Sequence, residues 1–209
     1  MRPSPILLST SFKFLSRPTA SKVFYGKRMT QGVPSETARL QNQANMSSSQ
    51  STELGIESQV NTAAGLQLSS QQRVLVGSVL DLFAGKPTLK KLQLWTDDAT
   101  FSDPLTKAEG RKQYEAQWYG LKAAFSSIDQ LHSQVTSSGN PITMDLKTKY
   151  VVKGIGKEQT VNSVIKIFTD EQGEKIKQGS SVFRNLNSVV VPAFVSVPKS
   201  EEEEAKKST

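Results

Sequence analysis

The chain has no cysteine and only one histidine, His132, in 209 residues. Without thiols it can form no disulfide, no cysteine nucleophile and no thiolate metal site. One imidazole also excludes a multi-histidine metal centre, so neither metal nor cofactor is expected. A Ser-His-Asp arrangement would need His132 itself, yet no G-x-S-x-G elbow surrounds any serine. No run approaches the roughly 18 consecutive apolar residues of a membrane span, so no integral membrane segment is expected.

Acidic residues are missing from one region. Residues 1–35 contain Arg2, Lys13, Arg17, Lys22, Lys27 and Arg28 but no Asp or Glu, so this stretch carries nearly all of the net charge of +7. The rest of the chain is close to neutral. A nucleic-acid partner would need many clustered cations on the folded body, and none is expected.

The acid-free segment has the composition of a mitochondrial presequence. Its apolar cluster, Ile6–Leu8, is too short for a secretory core before Lys13 interrupts it. In a helix, Leu8, Phe12 and Leu15 fall on one side and Lys13 and Arg17 on the other. Residues 1–34 are therefore expected to direct mitochondrial import, with a cytoplasmic product if translation starts at Met29. Residues 35–68, rich in Ser, Gln, Asn and Thr, have few bulky apolar groups to offset their ordering entropy and are read as a disordered linker. The charged residues 199–209 are read as a solvated tail.

Between these segments, 36% hydrophobic content overall supplies one ordinary core, placed in residues 69–198. Ser69 with Gln72 has capping-box spacing, and Val76, Val79, Leu80 and Phe83 share a helical face up to Gly85. Thr88 begins a second helix in which Leu89, Leu92 and Trp95 are spaced by three, with Asp97 and Asp98 at its end. Asp103-Pro104 turns the chain. Lys107–Phe125 then carries Tyr114, Trp118, Leu121 and Phe125 as one apolar stripe of a third helix. Four strand-like runs follow: 127–136, 142–153, 160–169 and 175–183. In the second, Met144, Leu146, Thr148, Tyr150 and Val152 alternate with polar neighbours, giving one dry face. The expected fold class is α+β: a curved antiparallel sheet wrapped around a long helix, with two helices before it.

The segment LWTDDATFSDP, the aromatic helix after it and KYVVKGIG with its flanking strands resemble nuclear transport factor 2-like, or SnoaL-like, domains. The ending RNLNSVVVPAFVSVPK resembles that of uncharacterised fungal members. This resemblance implies a cystatin-like cone with a cavity between sheet and helices, and places Trp95, Phe101, Tyr114, Trp118 and Tyr150 near it as ligand-pocket residues. A short last strand would leave one wall of the cone open. The implied role is binding of a small apolar or amphipathic molecule.

Two alternatives stay open. Asp97, Asp98 or Asp103 could act as a rim carboxylate in isomerase, dehydratase or hydrolase chemistry, although their places beside turns suit capping as well. His132 alternates with polar neighbours and is expected to face solvent, entering the cone only if a bulge shifts its strand. No motif aligns it with a dehydratase histidine, and Arg111 and Arg184 do not map onto an epoxide hydrolase set. The second alternative is an interaction module or homodimer through the sheet, with Val189–Val197 as an apolar edge strand.

Overall fold

A computed structural model describes residues 35, 41 and 48–183. Residues 1–34, expected as a presequence, the charged residues 199–209, Arg184 and the run Val189–Val197 lie outside the described residues.

Helix α1 (Ser70–Phe83) begins at the capping box. Ser69 Oγ accepts from the Gln72 N–H at 3.1 Å, and the Gln72 side-chain oxygen accepts from the Ser69 N–H at 2.9 Å. Thr88 caps the short α2 (Leu89–Leu92), its Oγ1 accepting from the Lys91 N–H at 3.2 Å. The helix does not continue to Trp95. That residue instead opens strand β1 (Trp95–Ser102), so Asp97 and Asp98 lie within a strand and not at a helix end. A register shift between Trp95 and Thr100 lets both acids face solvent while Trp95, Ala99 and Phe101 are buried.

The third helix is also shorter than its apolar stripe suggests. After the Asp103 turn, Lys107–Glu109 return as strand β2, with Ala108 opposite Phe101. Gly110 follows with φ of 77°, a left-handed conformation that ends the pairing, and α3 (Arg111–Ala124) starts beyond it. Phe125 is not the helix's last apolar residue but the first residue of β3 (Phe125–Ser137). The chain then meanders through β4 (Ile142–Val152), β5 (Glu158–Thr169) and β6 (Ile176–Phe183).

The six strands form one sheet in the order β2-β1-β6-β5-β4-β3. Every neighbouring pair is antiparallel except β1 and β6, so the sheet is mixed where an antiparallel one was expected. The parallel pair arises because the meander brings β6 back beside β1, running in the same direction. The architecture is α+β, one curved six-stranded sheet among the described residues with α3 packed against its strands and α1 against α3.

Alternation assigns the faces. Ile142, Met144, Leu146, Thr148 and Tyr150 point inward and register with Ile167, Ile165, Ser163, Val161 and Gln159 of β5. On β3 the alternation breaks at a bulge: Gln130 is opposite Thr148, His132 is opposite Lys147, and Leu131 is the extra residue between them. Gln130 therefore lies on the inner side, where its Nε2 donates to the Leu80 carbonyl at 2.6 Å. Leu131 is turned out at 53% exposure.

Residues 54–68, expected as part of a disordered linker, are bound to the domain. The Asp81 carboxylate, fully buried in α1, accepts from the Ser58 N–H at 2.9 Å and the Glu57 N–H at 3.0 Å. Its buried counter-ion is Lys91, whose Nζ lies 2.8 Å from Asp81 Oδ2 and donates to the Lys86 carbonyl. Ile56 packs against Gly77, where an added Cβ would approach its methyl to 2.8 Å. Further on, the Val135 N–H donates to the Asn61 carbonyl at 2.8 Å and the Ala63 N–H to the Val135 carbonyl at 2.9 Å. A segment with few apolar residues is ordered because one buried carboxylate and one strand edge satisfy its backbone.

Candidate functional site

Aromatic side chains from three helices and strands meet under the sheet. Trp118 of α3 lies with its ring centre 4.7 Å from Phe101 of β1 and 5.0 Å from Phe83 of α1. Beside them Phe125 and Tyr150 pair at 4.8 Å across β3 and β4. Between the two groups is a cavity of about 60 Å³.

The cavity's inner wall comprises Phe83, Phe101 and Trp118, and its outer wall Leu121, Phe125, Tyr150, Val161 and Phe183. Asp103, Leu105 and Thr106 of the β1–β2 turn, with Gln117 of α3, complete the lining. It lies where β6 stops. Phe183 is opposite Ser163, so among the described residues Glu158–Asn162 of β5 have no partner on that side.

Of the five aromatic residues placed near a pocket from the sequence, Phe101, Trp118 and Tyr150 line the cavity, whereas Trp95 and Tyr114 do not. Trp95 packs 5.3 Å from Tyr114 and presses on Gly179 of β6, where a Cβ would sit 2.7 Å from its ring. Tyr114 donates its hydroxyl to the Thr96 carbonyl at 3.3 Å. Burial pushes the Tyr114 hydroxyl pKa up to about 12. Phe125, Val161 and Phe183 were not anticipated as wall residues. They come together because the bulged β3 and the short β6 bend around the same end of α3.

The acidic candidates separate. Asp97 is on the outer side, 89% exposed, and pairs with Arg111 at 2.7 Å to Nη2 and 2.8 Å to Nε. Arg111 also bonds Glu115 and the carbonyls of Leu92 and Trp95, so it ties the start of α3 to β1. Asp98 is solvent-exposed as well. Its carboxyl is held below the ordinary value mainly by the nearby Thr96 hydroxyl, which lies outside hydrogen-bond geometry, and then by its own backbone N–H. Neither acid caps a helix and neither enters the cavity.

Asp103 does reach the cavity. Its Oδ1 accepts from the Leu105 N–H at 2.8 Å, the Thr106 N–H at 2.7 Å and the Thr106 hydroxyl at 3.1 Å, which fixes the turn. Across the cavity, the Tyr150 hydroxyl pKa is pushed up to about 12, chiefly by burial and further by the Asp103 charge. The Thr148 hydroxyl opposes that shift from outside hydrogen-bond geometry. Tyr150 thus stays neutral near pH 7. The bulge has not brought His132 inward: it lies on the outer face beside Asp145, Lys147 and Asn162. Among the described residues no group of three or more His, Asp or Glu could hold a metal ion, and no helix is long and apolar enough to cross a membrane.

No family model matches the chain, and no curated protein matches it significantly. Solved structures do match. An NTF2-like protein from Anabaena variabilis is 16% identical, with 59% of this chain and 96% of that one covered at a TM-score of 0.49. A SnoaL-like protein from Shewanella denitrificans is 15% identical over 54% and 89% of the two chains at 0.46. A hypothetical protein with a ketosteroid isomerase-like fold from Catenulispora acidiphila, in complex with trimethylamine, is 18% identical over 51% and 82% at 0.43. At such identities the likeness is one of fold alone: the chain is similar in fold to NTF2-like and SnoaL-like proteins.

Proposed function

We propose that the domain binds a small, mainly apolar molecule in the cavity between α3 and the open end of the sheet. The observation that carries this reading is an aromatic-walled space with a few polar groups at its edge, the usual form of a small-molecule site. A second feature supports it. Trp118 is 1% exposed and its indole N–H has no acceptor among the described residues. An unmet buried donor costs about 1–3 kcal/mol, and the cavity is where an acceptor on a ligand or a water can be supplied.

The catalytic alternative has less behind it. Asp97 and Asp98 face solvent, and one oxygen of Asp103 already holds three turn hydrogen bonds. Homodimerisation through the sheet also has little support, because the outer face of β4 alternates Asp145, Lys147 and Lys149, and the exposed Leu131 and Val182 stand on opposite strands of the meander.

The test is a thermal-shift titration of the full chain with 2-phenylethanol, comparing the parent with Val161→Phe, which fills the cavity from its outer wall. A ligand that binds only the native state must raise Tm. The expected result is a concentration-dependent rise in the parent that is lost in Val161→Phe. A rise equal in both proteins would place binding elsewhere and reject the proposal.

A further inference from the structure

We infer that the cavity selects a cationic ligand, an organic ammonium with a small apolar body, a step that rests on the small-molecule reading above. Among the described residues Asp103 is the only charged one in the lining. Its Oδ1 is committed to the turn, while its Oδ2 makes no hydrogen bond and the residue forms no ion pair among the described residues. One carboxylate oxygen is therefore unspent beside an apolar wall.

Half of the wall is aromatic: Phe83, Phe101, Trp118, Phe125, Tyr150 and Phe183. Ring faces attract cations, most strongly where water is excluded. Gln117, also in the lining, has no side-chain partner among the described residues, so its amide oxygen is a second acceptor for an ammonium N–H. Tyr150, held neutral by burial, adds no second negative charge. The effect of the Asp103 charge on Tyr150 indicates that the carboxylate is felt across the cavity. A carboxylate ligand would meet like charge, and a neutral one would forgo both the ion pair and the cation–π attraction. An ammonium uses the free oxygen and the rings together.

The experiment is calorimetric titration of the full chain at pH 7 with three near-isosteres: 2-phenylethylammonium, 2-phenylethanol and phenylacetate. The ammonium should bind at least tenfold tighter than the alcohol, and the anion weakest. Asp103→Asn keeps an Oδ1 acceptor for Leu105 and Thr106, so it should remove the ammonium's advantage over the alcohol. Phe125→Leu, which keeps the apolar wall but removes a ring face, should lower the ammonium preference by itself and covers the case in which Asp103→Asn fails to fold. Alcohol binding as tight as the ammonium's, or a preference that survives both variants, overturns the ammonium inference while leaving the small-molecule reading in place. Binding of none of the three overturns both.

Discussion

The apolar interior divides into two clusters that use the same residue types to opposite effect. The larger, containing Leu75, Trp95, Tyr114, Met144, Ile165 and Ile176, is filled to contact around Trp95 and meets the cavity only through Phe83, Phe101 and Trp118. Trp95 and Phe101 lie against Gly179, and a single Cβ there would come within 2.7 Å of the indole and 3.2 Å of the phenyl ring. The smaller consists of Phe125, Tyr150 and Val161, with Leu121, Ile128 and Phe183 packed on it, and it borders the cavity. Aromatic composition does not separate a core from a pocket. What separates them is the neighbouring strand: Trp95 has β6 beneath it, whereas Val161 lies on a part of β5 that β6 does not reach.

The largest effect expected from this contrast is at Trp95. Trp95→Ala should cost about 3–5 kcal/mol, as buried aromatic truncations do, while Val161→Ala should cost at most roughly 1–2 kcal/mol because its site already borders space. Denaturant titrations of the two variants decide it, and equal losses would mean that both ends are packed alike. Gly179→Ala comes next. Backbone and a large ring must shift to admit the methyl, at about 1–3 kcal/mol. The double variant Trp95→Phe/Gly179→Ala should then be less destabilised than the sum of its parts, since the smaller ring clears the methyl. Strict additivity would show that the close approach is not what demands glycine.

Much of this contrast could not be read along the chain, for reasons particular residues make clear. The α1 cap, the alternation of β4 and the stripe Tyr114, Trp118 and Leu121 are local patterns, and they appear as expected. Trp95 was ambiguous because a spacing of three from Leu92 fits a helix as well as the first residue of a strand. Gln130 and His132 looked like one face until the Leu131 bulge, whose cause lies in pairing with β4, put them on opposite sides. Asp81 sits in the apolar run VLDLF, and its partners are Lys91 and the N–H groups of Glu57 and Ser58. A buried acid of this kind can be understood only with its distant partners in view, and so can the ordering of residues 54–68. The cavity belongs with these long-range features. Its walls come from α1, α3, five strands and one turn, and no single segment carries its pattern.

A small effect is expected on the outer side of the filled end. Asp97→Ala removes an exposed ion pair with Arg111, worth about 0.2–1 kcal/mol. Asp97→Asn should cost a similar amount, because the residue is not a cap. If Asn were fully tolerated while Ala was not, a hydrogen-bonding role without charge would replace this account. Chemical denaturation at low and high salt distinguishes them, since only the ion pair is screened.

The finest comparison of the two ends comes from the two tyrosines. Both hydroxyl pKa values are pushed from 10.0 to about 12 by burial. A raised value in the folded state means that the native protein holds its proton where the unfolded chain has released it. The stabilisation is therefore complete below pH 10 and is lost as pH rises through 12. Near pH 7, Tyr114→Phe gives up the bond to the Thr96 carbonyl and should cost about 0.5–1.5 kcal/mol. Tyr150→Phe gives up no well-formed hydrogen bond and should cost less. Above pH 10 each variant should lose stability with pH less steeply than the parent, because one of the two titrating groups is gone. Urea titrations between pH 7 and 12 measure both quantities. A Tyr150→Phe variant as impaired at pH 7 as Tyr114→Phe would show that the hydroxyl at the cavity has a firm partner, and that the open end is closer in character to the filled one.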